Sequence, residues 1–301
     1  MNKNTAAVLL TAIVAMWGLS FSLTKPLLGS LGVFNFLMFR FLIGGSVLGI
    51  FALVRGNLKV NKSMVMDGVI AGVLLFAVFG LHTLGLKYTT ISKNAFIVGG
   101  GVLFIPFVKL LFFKEKQTLS TWTQMALATA SLALITLVDT TGGLNFGDLV
   151  SIAGTILLAF YTIFVEKRIH KHKATPFTVV QLLTVGLLST AGMLAFEVPN
   201  FDLSLAGWGS VLVMGVFLTG LAYVVLNVCQ GHLSALKVTV LYTLEPFFAA
   251  LFGWLLLSEH ISGNIALGGV LIFMSMMAPT AMDYLATRNK KTSKRPQVSS
   301  Y

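Results

Sequence analysis

The chain has 301 residues, 56% of them hydrophobic and 10% charged, with a mean hydropathy of +0.89. Soluble domains carry about a quarter charged residues because their surfaces face water, so this composition excludes a soluble body of this size. The net charge of +11, which in a soluble protein would suggest nucleic acid, becomes a question of which membrane face holds the basic residues.

A spanning helix needs about 20 mainly apolar residues, whereas barrel strands read as alternating segments of roughly ten. The apolar runs here are long and have no period of two, which predicts an all-α integral membrane protein of ten transmembrane helices. Helix 1 (5–27) carries WGLSFSLTK, with Trp17, Gly18 and Lys25. Its apolar run, Asn4 to Thr24, has no small-residue cleavage site followed by a soluble domain, and reads as a span rather than a signal peptide. Helix 2 (33–54) carries Asn35 and, in FLMFRF, Arg40; helix 3 (65–87) carries Gly68, Gly72, His82 and Thr83. Helix 4 (92–113) follows GLKYTT and contains Asn94, Gly99, Gly100, Gly101, Pro106 and Lys109; helix 5 covers 119–138. Helix 6 (146–165) contains Tyr161 and helix 7 (175–196) contains Gln181. The run from Leu203 to Leu236 has no Asp, Glu, Lys or Arg and is too long for one helix, so it is divided around Gly231, His232 and Ser234. That division gives helix 8 (205–230), with Tyr223, Asn227 and the single cysteine Cys229, and helix 9 (235–257), with Tyr242, Glu245 and Pro246. Helix 10 (262–284) precedes a basic tail.

With the N-terminus inside, the inner segments hold 16 of the 21 Lys and Arg. The outer ones hold Lys25, Lys87 and Lys93, and the later outer loops hold Asp139, Asp148, Glu197, Asp202 and Glu259 without a cation. This positive-inside bias fits an even number of helices with both termini cytoplasmic, and it accounts for the basic charge without nucleic acid.

Shifting the sequence by 144 residues lays residues 92–118 on 236–262, pairing Lys93 with Lys237, Phe104 with Phe248 and Glu115 with Glu259. The same shift pairs Trp17 with Tyr161. Five helices per copy is an odd number, so the second copy enters the membrane the other way up. Inverted repeats of this kind characterise secondary transporters, with the substrate at mid-membrane between the halves. The expected units are 4–140, 145–285 and a cytoplasmic tail, 286–301.

The WGLSFSLTK start, Arg40, GLKYTT and the LEPFFAALFGWLLLSEHIS stretch with Glu245, Pro246 and Glu259 resemble the EamA-type ten-helix carriers of the drug/metabolite transporter superfamily. The first copy departs from the pattern in carrying Val102 where the second has Pro246, its proline coming later at Pro106. The resemblance implies transport of amino acids or related metabolites, more often outward than inward.

Ionisable groups within a membrane cost roughly 2.5–3.5 kcal/mol at its centre on insertion scales, and usually face a cavity or a partner. Glu245, before the helix-bending Pro246, reads either as a cavity carboxylate for a cation or proton or as a partner of Lys237 or Arg40. Arg40 can grip a carboxylate or phosphate, or lock two helices. His82, with Thr83 beside it, can relay protons, or be a satisfied buried histidine. Trp17, Tyr161, Tyr223 and Tyr242 are candidate cavity walls, with Trp17 and Tyr161 facing each other across the repeat axis; most membrane aromatics simply pack. Asn227 is a further substrate-binding candidate, although such residues often only join helices. Gly99, Gly100, Gly101 and Pro246 are gating candidates. Lys25, Lys87 and Lys93 either snorkel to headgroups or steer anions.

A membrane enzyme would need an HExxH, a GxSxG or paired intramembrane aspartates, and a channel has no need of inverted halves. The expectation is therefore a carrier in the cytoplasmic membrane, with no catalytic residue, metal or cofactor; the alternatives are an importer or facilitative exchanger of an amine, nucleobase or sugar-phosphate-type solute and, outside transport, a channel or scaffold. Its expected partners are a small-molecule substrate, the lipid bilayer and protons as a candidate coupling ion, and it is expected as a monomer or homodimer.

Overall fold

The computed structural model describes residues 1–89, 91–136, 145–248, 251–252, 267, 270–271 and 274–275. These are helical, without a strand among them. The elements are α1 (Lys3–Ser30), α2 (Val33–Val54), α3 (Lys62–Tyr88), α4 (Ile91–Gly99), α5 (Gly101–Phe113), α6 (Leu119–Thr136), α7 (Phe146–Arg168), α8 (Ala174–Phe196), α9 (Leu205–Gly215), α10 (Ala222–Gln230) and α11 (Ala235–Tyr242). A π-helical turn, Val216–Leu221, joins α9 to α10 in one run. Among the described residues, six helical runs are long and apolar enough to cross a membrane: Lys3–Ser30, Val33–Val54, Lys62–Tyr88, Phe146–Lys171, Ala174–Phe196 and Leu205–Gln230. Helix 10, Glu259 and the tail 286–301 lie outside the described residues.

The helices bury small and polar faces against one another and turn large apolar side chains outward, among them Val54, Leu111, Leu187, Leu194 and Phe196. That inversion of the soluble pattern suits lipid, which cannot solvate backbone and welcomes apolar side chains. Close packing relies on residues without side-chain bulk. At the centre α2 crosses α8, and the contacts are reciprocal: Gly45 abuts Leu183 while Gly186 abuts Leu42. The flanking contacts repeat the pattern, with Gly72 of α3 against Thr184 and the Gln181 carbonyl, and Gly215 of α9 against Ile43 and the Arg40 carbonyl. A Cβ on any of these four glycines would overlap its neighbour.

Two runs expected as single helices are interrupted. The expected helix 4 breaks at Gly100, where i→i+3 bonds replace the α-helical ones: the Gly100 amide donates to Ile97 and the Leu103 amide to Gly100. Pro106 sits farther on, inside α5, so the glycines rather than the proline mark this break. The expected helix 9 breaks at Thr243–Leu244, and helical backbone resumes at Glu245. Pro246 lacks an amide hydrogen and its ring crowds the carbonyl four residues earlier, which here is that of Tyr242.

One end of the bundle is basic and held by ion pairs. Buried Asp67 of α3 meets His172 Nε2 at 2.8 Å and Arg168 at 3.7 Å, both just past or at the end of α7. Lys109 of α5 meets Glu166 of α7 at 2.8 Å, and Lys167 meets Glu115 at 2.6 Å. At the opposite end Glu197 caps α2, accepting from the Phe34 and Asn35 amides. There, Lys25 Nζ donates to the Leu86 and Thr89 carbonyls (2.7 Å to Thr89), tying α1 to the end of α3. Lys25 is therefore occupied with main-chain carbonyls rather than reaching to headgroups.

Candidate functional site

A cavity lies among α1, α2, α3, α4, α7, α10 and the α11 break, displaced toward the non-basic end. Its lining runs from Trp17, Tyr223, Tyr242 and Glu245 at mid-span to Thr24, Leu86 and Asn94 near the Lys25 clasp. Trp17 stands at the bottom as the hub of an aromatic box. Its ring is 5.6 Å from that of Tyr223 and 5.8 Å from that of Tyr242, the latter edge-on. Its indole Nε1 donates to the Leu218 carbonyl at 2.8 Å. That carbonyl belongs to the π turn, where the extra residue disturbs the regular ladder and exposes main-chain groups, as such turns often do at functional sites.

The next residue of the same turn holds the arginine: Arg40 Nε donates to Thr219 Oγ1 at 2.8 Å. The guanidinium carbon lies 5.0 Å from the Phe79 ring centroid and 5.8 Å from that of Phe41. Arg40 is 5% exposed, yet no carboxylate comes within 4.0 Å of it among the described residues. Glu245, 8% exposed, likewise has no hydrogen bond or ion pair among the described residues. Of the two expected partners, neither Lys237 nor Arg40 comes within 4.0 Å of Glu245 among the described residues, although Arg40 and Glu245 share the cavity and act on each other electrostatically. The break at Thr243–Leu244 turns Glu245 into the cavity wall rather than against a helix neighbour.

His82 lines the cavity and is also bonded, its Nε2 lying 3.1 Å from Thr155 Oγ1 of α7. Thr83 follows it on the wall. Asn94 Nδ2 donates to the His82 carbonyl and to Ser151 Oγ, joining α4 to α3 and α7.

Of the nine sequence candidates for substrate contact, Trp17, Arg40, His82, Thr83, Tyr223, Tyr242 and Glu245 line this one cavity, while Tyr161 and Asn227 do not. The expectation that Trp17 and Tyr161 face each other is corrected. Tyr161 is fully buried and its hydroxyl accepts from Gln181 Nε2 at 2.6 Å, while Trp17 meets Tyr223 and Tyr242 instead. The two positions are equivalent in sequence but sit in halves that are packed differently. Of the gating candidates, Gly100 and Pro246 flank or occupy breaks, with Gly99 ending α4 and Gly101 starting α5.

Sequence reasoning missed Phe79, Ser20, Leu158 and the π turn with Leu218 and Thr219. The apolar residues carry no signal. The π turn did leave one: Gly215 follows Gly72, its reciprocal partner, by 143 residues, while Asn227 follows Thr83 by 144 in the repeat register, so one residue is inserted between them.

Comparison with known proteins adds four findings. The profile of the EamA-like transporter family matches residues 4–137 and again 145–278. An uncharacterized transporter of Archaeoglobus fulgidus is 24% identical over 279 residues, covering 91% of this chain and 86% of that one. The uncharacterized transporter YvbV of Bacillus subtilis is 26% identical over 286 residues, covering 91% of each. A solved crystal structure at 18% identity superposes with a TM-score of 0.74 over 92% of this chain and 97% of its own, which is a likeness of fold.

Proposed function

The chain belongs to the EamA-like transporter family, and from that premise we propose that it is a secondary carrier of small zwitterions, amino acids and their close relatives, working by alternating access in the cytoplasmic membrane. The observation that carries the zwitterion reading is the pair Arg40 and Glu245. A guanidinium and a carboxyl group line one aromatic cavity, close enough to act on each other but with no ion pair within 4.0 Å among the described residues. Each is costly to leave alone in a membrane interior, and a zwitterion supplies the missing partner of both. The guanidinium fork suits a carboxylate. The Trp17, Tyr223 and Tyr242 rings beside Glu245 suit an ammonium group.

Alternating access is supported by signs of two inverted five-helix copies within a ten-helix chain. The family profile matches twice, the α2–α8 and flanking glycine contacts are reciprocal, and the helix breaks fall at matching positions, Gly100 and Leu244 being 144 residues apart. Broken helices beside a midplane site are the usual frame of such carriers. The units proposed are 4–140 and 145–285, followed by the tail 286–301. The basic end is the cytoplasmic one by the positive-inside rule, which puts the cavity nearer the outside. Export is the direction that the family resemblance implies, Glu245 is the group for a coupling proton, and the unit is a monomer or homodimer.

Flux into proteoliposomes containing the purified chain tests this reading. A panel pairs zwitterionic amino acids with the matching amine and the matching carboxylic acid. Zwitterions are expected to exchange and the single-charge analogues to fail. Transport of the amine alone would overturn the zwitterion reading, and ion current without solute flux would overturn the carrier.

A further inference from the structure

Between the cavity and the basic end lies a second set of polar side chains that the cavity does not reach. Asn227 Nδ2 donates to Thr178 Oγ1 at 2.8 Å and to Gln181 Oε1 at 3.0 Å, and Gln181 in turn donates to Tyr161. Tyr161, Gln181 and Asn227 are fully buried, and Gln230, one turn beyond Asn227 on α10, is 1% exposed. The set is incompletely satisfied: Asn227 Oδ1 and both Nε2 and Oε1 of Gln230 are buried without a hydrogen-bond partner. A buried polar atom without a partner is destabilising, and native folds keep few of them. A permanent structural network would not be expected to leave three on one helix face.

Their positions supply the reason. In the 144-residue register Tyr161 is the counterpart of Trp17, Asn227 of Thr83 and Gln230 of Leu86. The reciprocal glycine contacts make Gln181 the counterpart of Arg40, since their carbonyls face Gly72 and Gly215. Trp17, Arg40, Thr83 and Leu86 all line the cavity. Their four counterparts all fall in the sealed layer.

We propose that Tyr161, Gln181, Asn227 and Gln230 line a latent second binding cavity, closed in this conformation and opened toward the basic end in the alternate one. This rests on the carrier reading and deepens it by naming the residues that receive the solute on that side. The two cavities differ in chemistry. Gln181 stands where the first has Arg40, and Gly101 stands where it has Glu245. The latent cavity therefore offers neutral amide donors and acceptors to the polar ends of a zwitterion, and it holds the solute more weakly than the charged cavity. The unpartnered atoms of Asn227 and Gln230 are the groups that the solute or water would meet.

Cys229 is the single cysteine, so a Cys229→Ala background allows accessibility to be mapped from each side. Gln230→Cys and Leu86→Cys are labelled with a membrane-impermeant methanethiosulfonate, in vesicles of both orientations. Gln230→Cys is expected to react from the basic end alone, and Leu86→Cys from the opposite end. With the alternate state populated at about 0.1–10%, Gln230→Cys should react roughly 10–1000-fold more slowly than a fully exposed thiol, and Asp67→Asn should speed it by about tenfold. Equal reactivity from both sides, or none at Gln230→Cys from the basic end while Leu86→Cys reacts, overturns the proposal. Should Gln230→Cys not reach the membrane, Asn227→Cys takes its place. Should neither fold, hydrogen exchange over 222–230 in the unaltered protein decides: exchange that Asp67→Asn accelerates supports the latent cavity, and unchanged exchange overturns it. Solute flux by the unaltered protein is measured separately, so that labelling without flux removes the carrier reading and flux without labelling removes the latent cavity.

Discussion

The two ends of this bundle are packed differently, although several residues at one end correspond in the repeat register to residues at the other. Toward the non-basic end, Trp17, Arg40, Thr83 and Leu86 surround space, and the clasp of Lys25 on two carbonyls helps close it. Toward the basic end, the counterparts of these residues are packed solid, and beyond them stand the Asp67–His172–Arg168 cluster and the Lys109–Glu166 pair. The lesson is that the charges decide which half is a site. Arg40 and Glu245 face the cavity with no ion pair within 4.0 Å among the described residues, whereas Asp67, Glu115 and Glu166 at the sealed end each meet a base directly.

The largest effects should follow from removing the unpaired charges. Hydrogen bonds to charged groups contribute roughly 1.5–3 kcal/mol, or about 10–150-fold in affinity. Arg40→Gln and Glu245→Gln are each expected to weaken zwitterion exchange by that factor. Arg40→Gln also makes the charged half resemble the neutral one, where Gln181 already stands. Normal exchange by both variants would mean that the open half does not recognise its solute by charge.

Breaking the sealed end comes next. Asp67 is buried at 2% exposure against a His172 side chain at 3%, whereas Arg168 is half-exposed and contributes less. Asp67→Asn keeps the shape and removes the charge, at a cost of about 1–3 kcal/mol. A lowered thermal midpoint together with increased reactivity of α10 is expected. A lowered midpoint with unchanged reactivity would reduce the cluster to a simple structural tie. Trp17→Phe should have a smaller effect, because it keeps the ring contacts and deletes only the indole bond to Leu218, worth about 0.5–1.5 kcal/mol. A several-fold weakening of exchange, with folding intact, is the expected result.

Much of this contrast was legible in the sequence. Intramembrane charge is rare enough that Arg40 and Glu245 stood out by composition alone, and apolar run length predicted the spans closely, with 33–54 and 175–196 observed as Val33–Val54 and Ala174–Phe196. The Trp17–Tyr161 pairing was not legible, because a repeat register states which positions are equivalent and not which conformation the pair of halves has adopted. The π turn left only a one-residue slip in the repeat register, which becomes readable once the glycine contacts fix the pairing of Gly72 with Gly215. The break at Gly100 was signalled by three successive glycines, but the roles of Thr219 and Phe79 depend on packing between distant helices and left no local mark.

The smallest expected effect concerns the cover of the open half. Lys25 Nζ reaches two carbonyls at the end of α3, where a cation also complements the helix dipole at about 0.3–1 kcal/mol. Lys25→Met keeps the length of the side chain and deletes both bonds. If the clasp is one of two opposed closures, losing it should raise the reactivity of Leu86→Cys from the non-basic side by a few-fold and leave that of Gln230→Cys unchanged or slightly lower. The opposite ends would then respond to Lys25→Met and Asp67→Asn in opposite senses. A rise at both positions after Lys25→Met would mean that the clasp supports the whole bundle, and the two halves would no longer be independent closures.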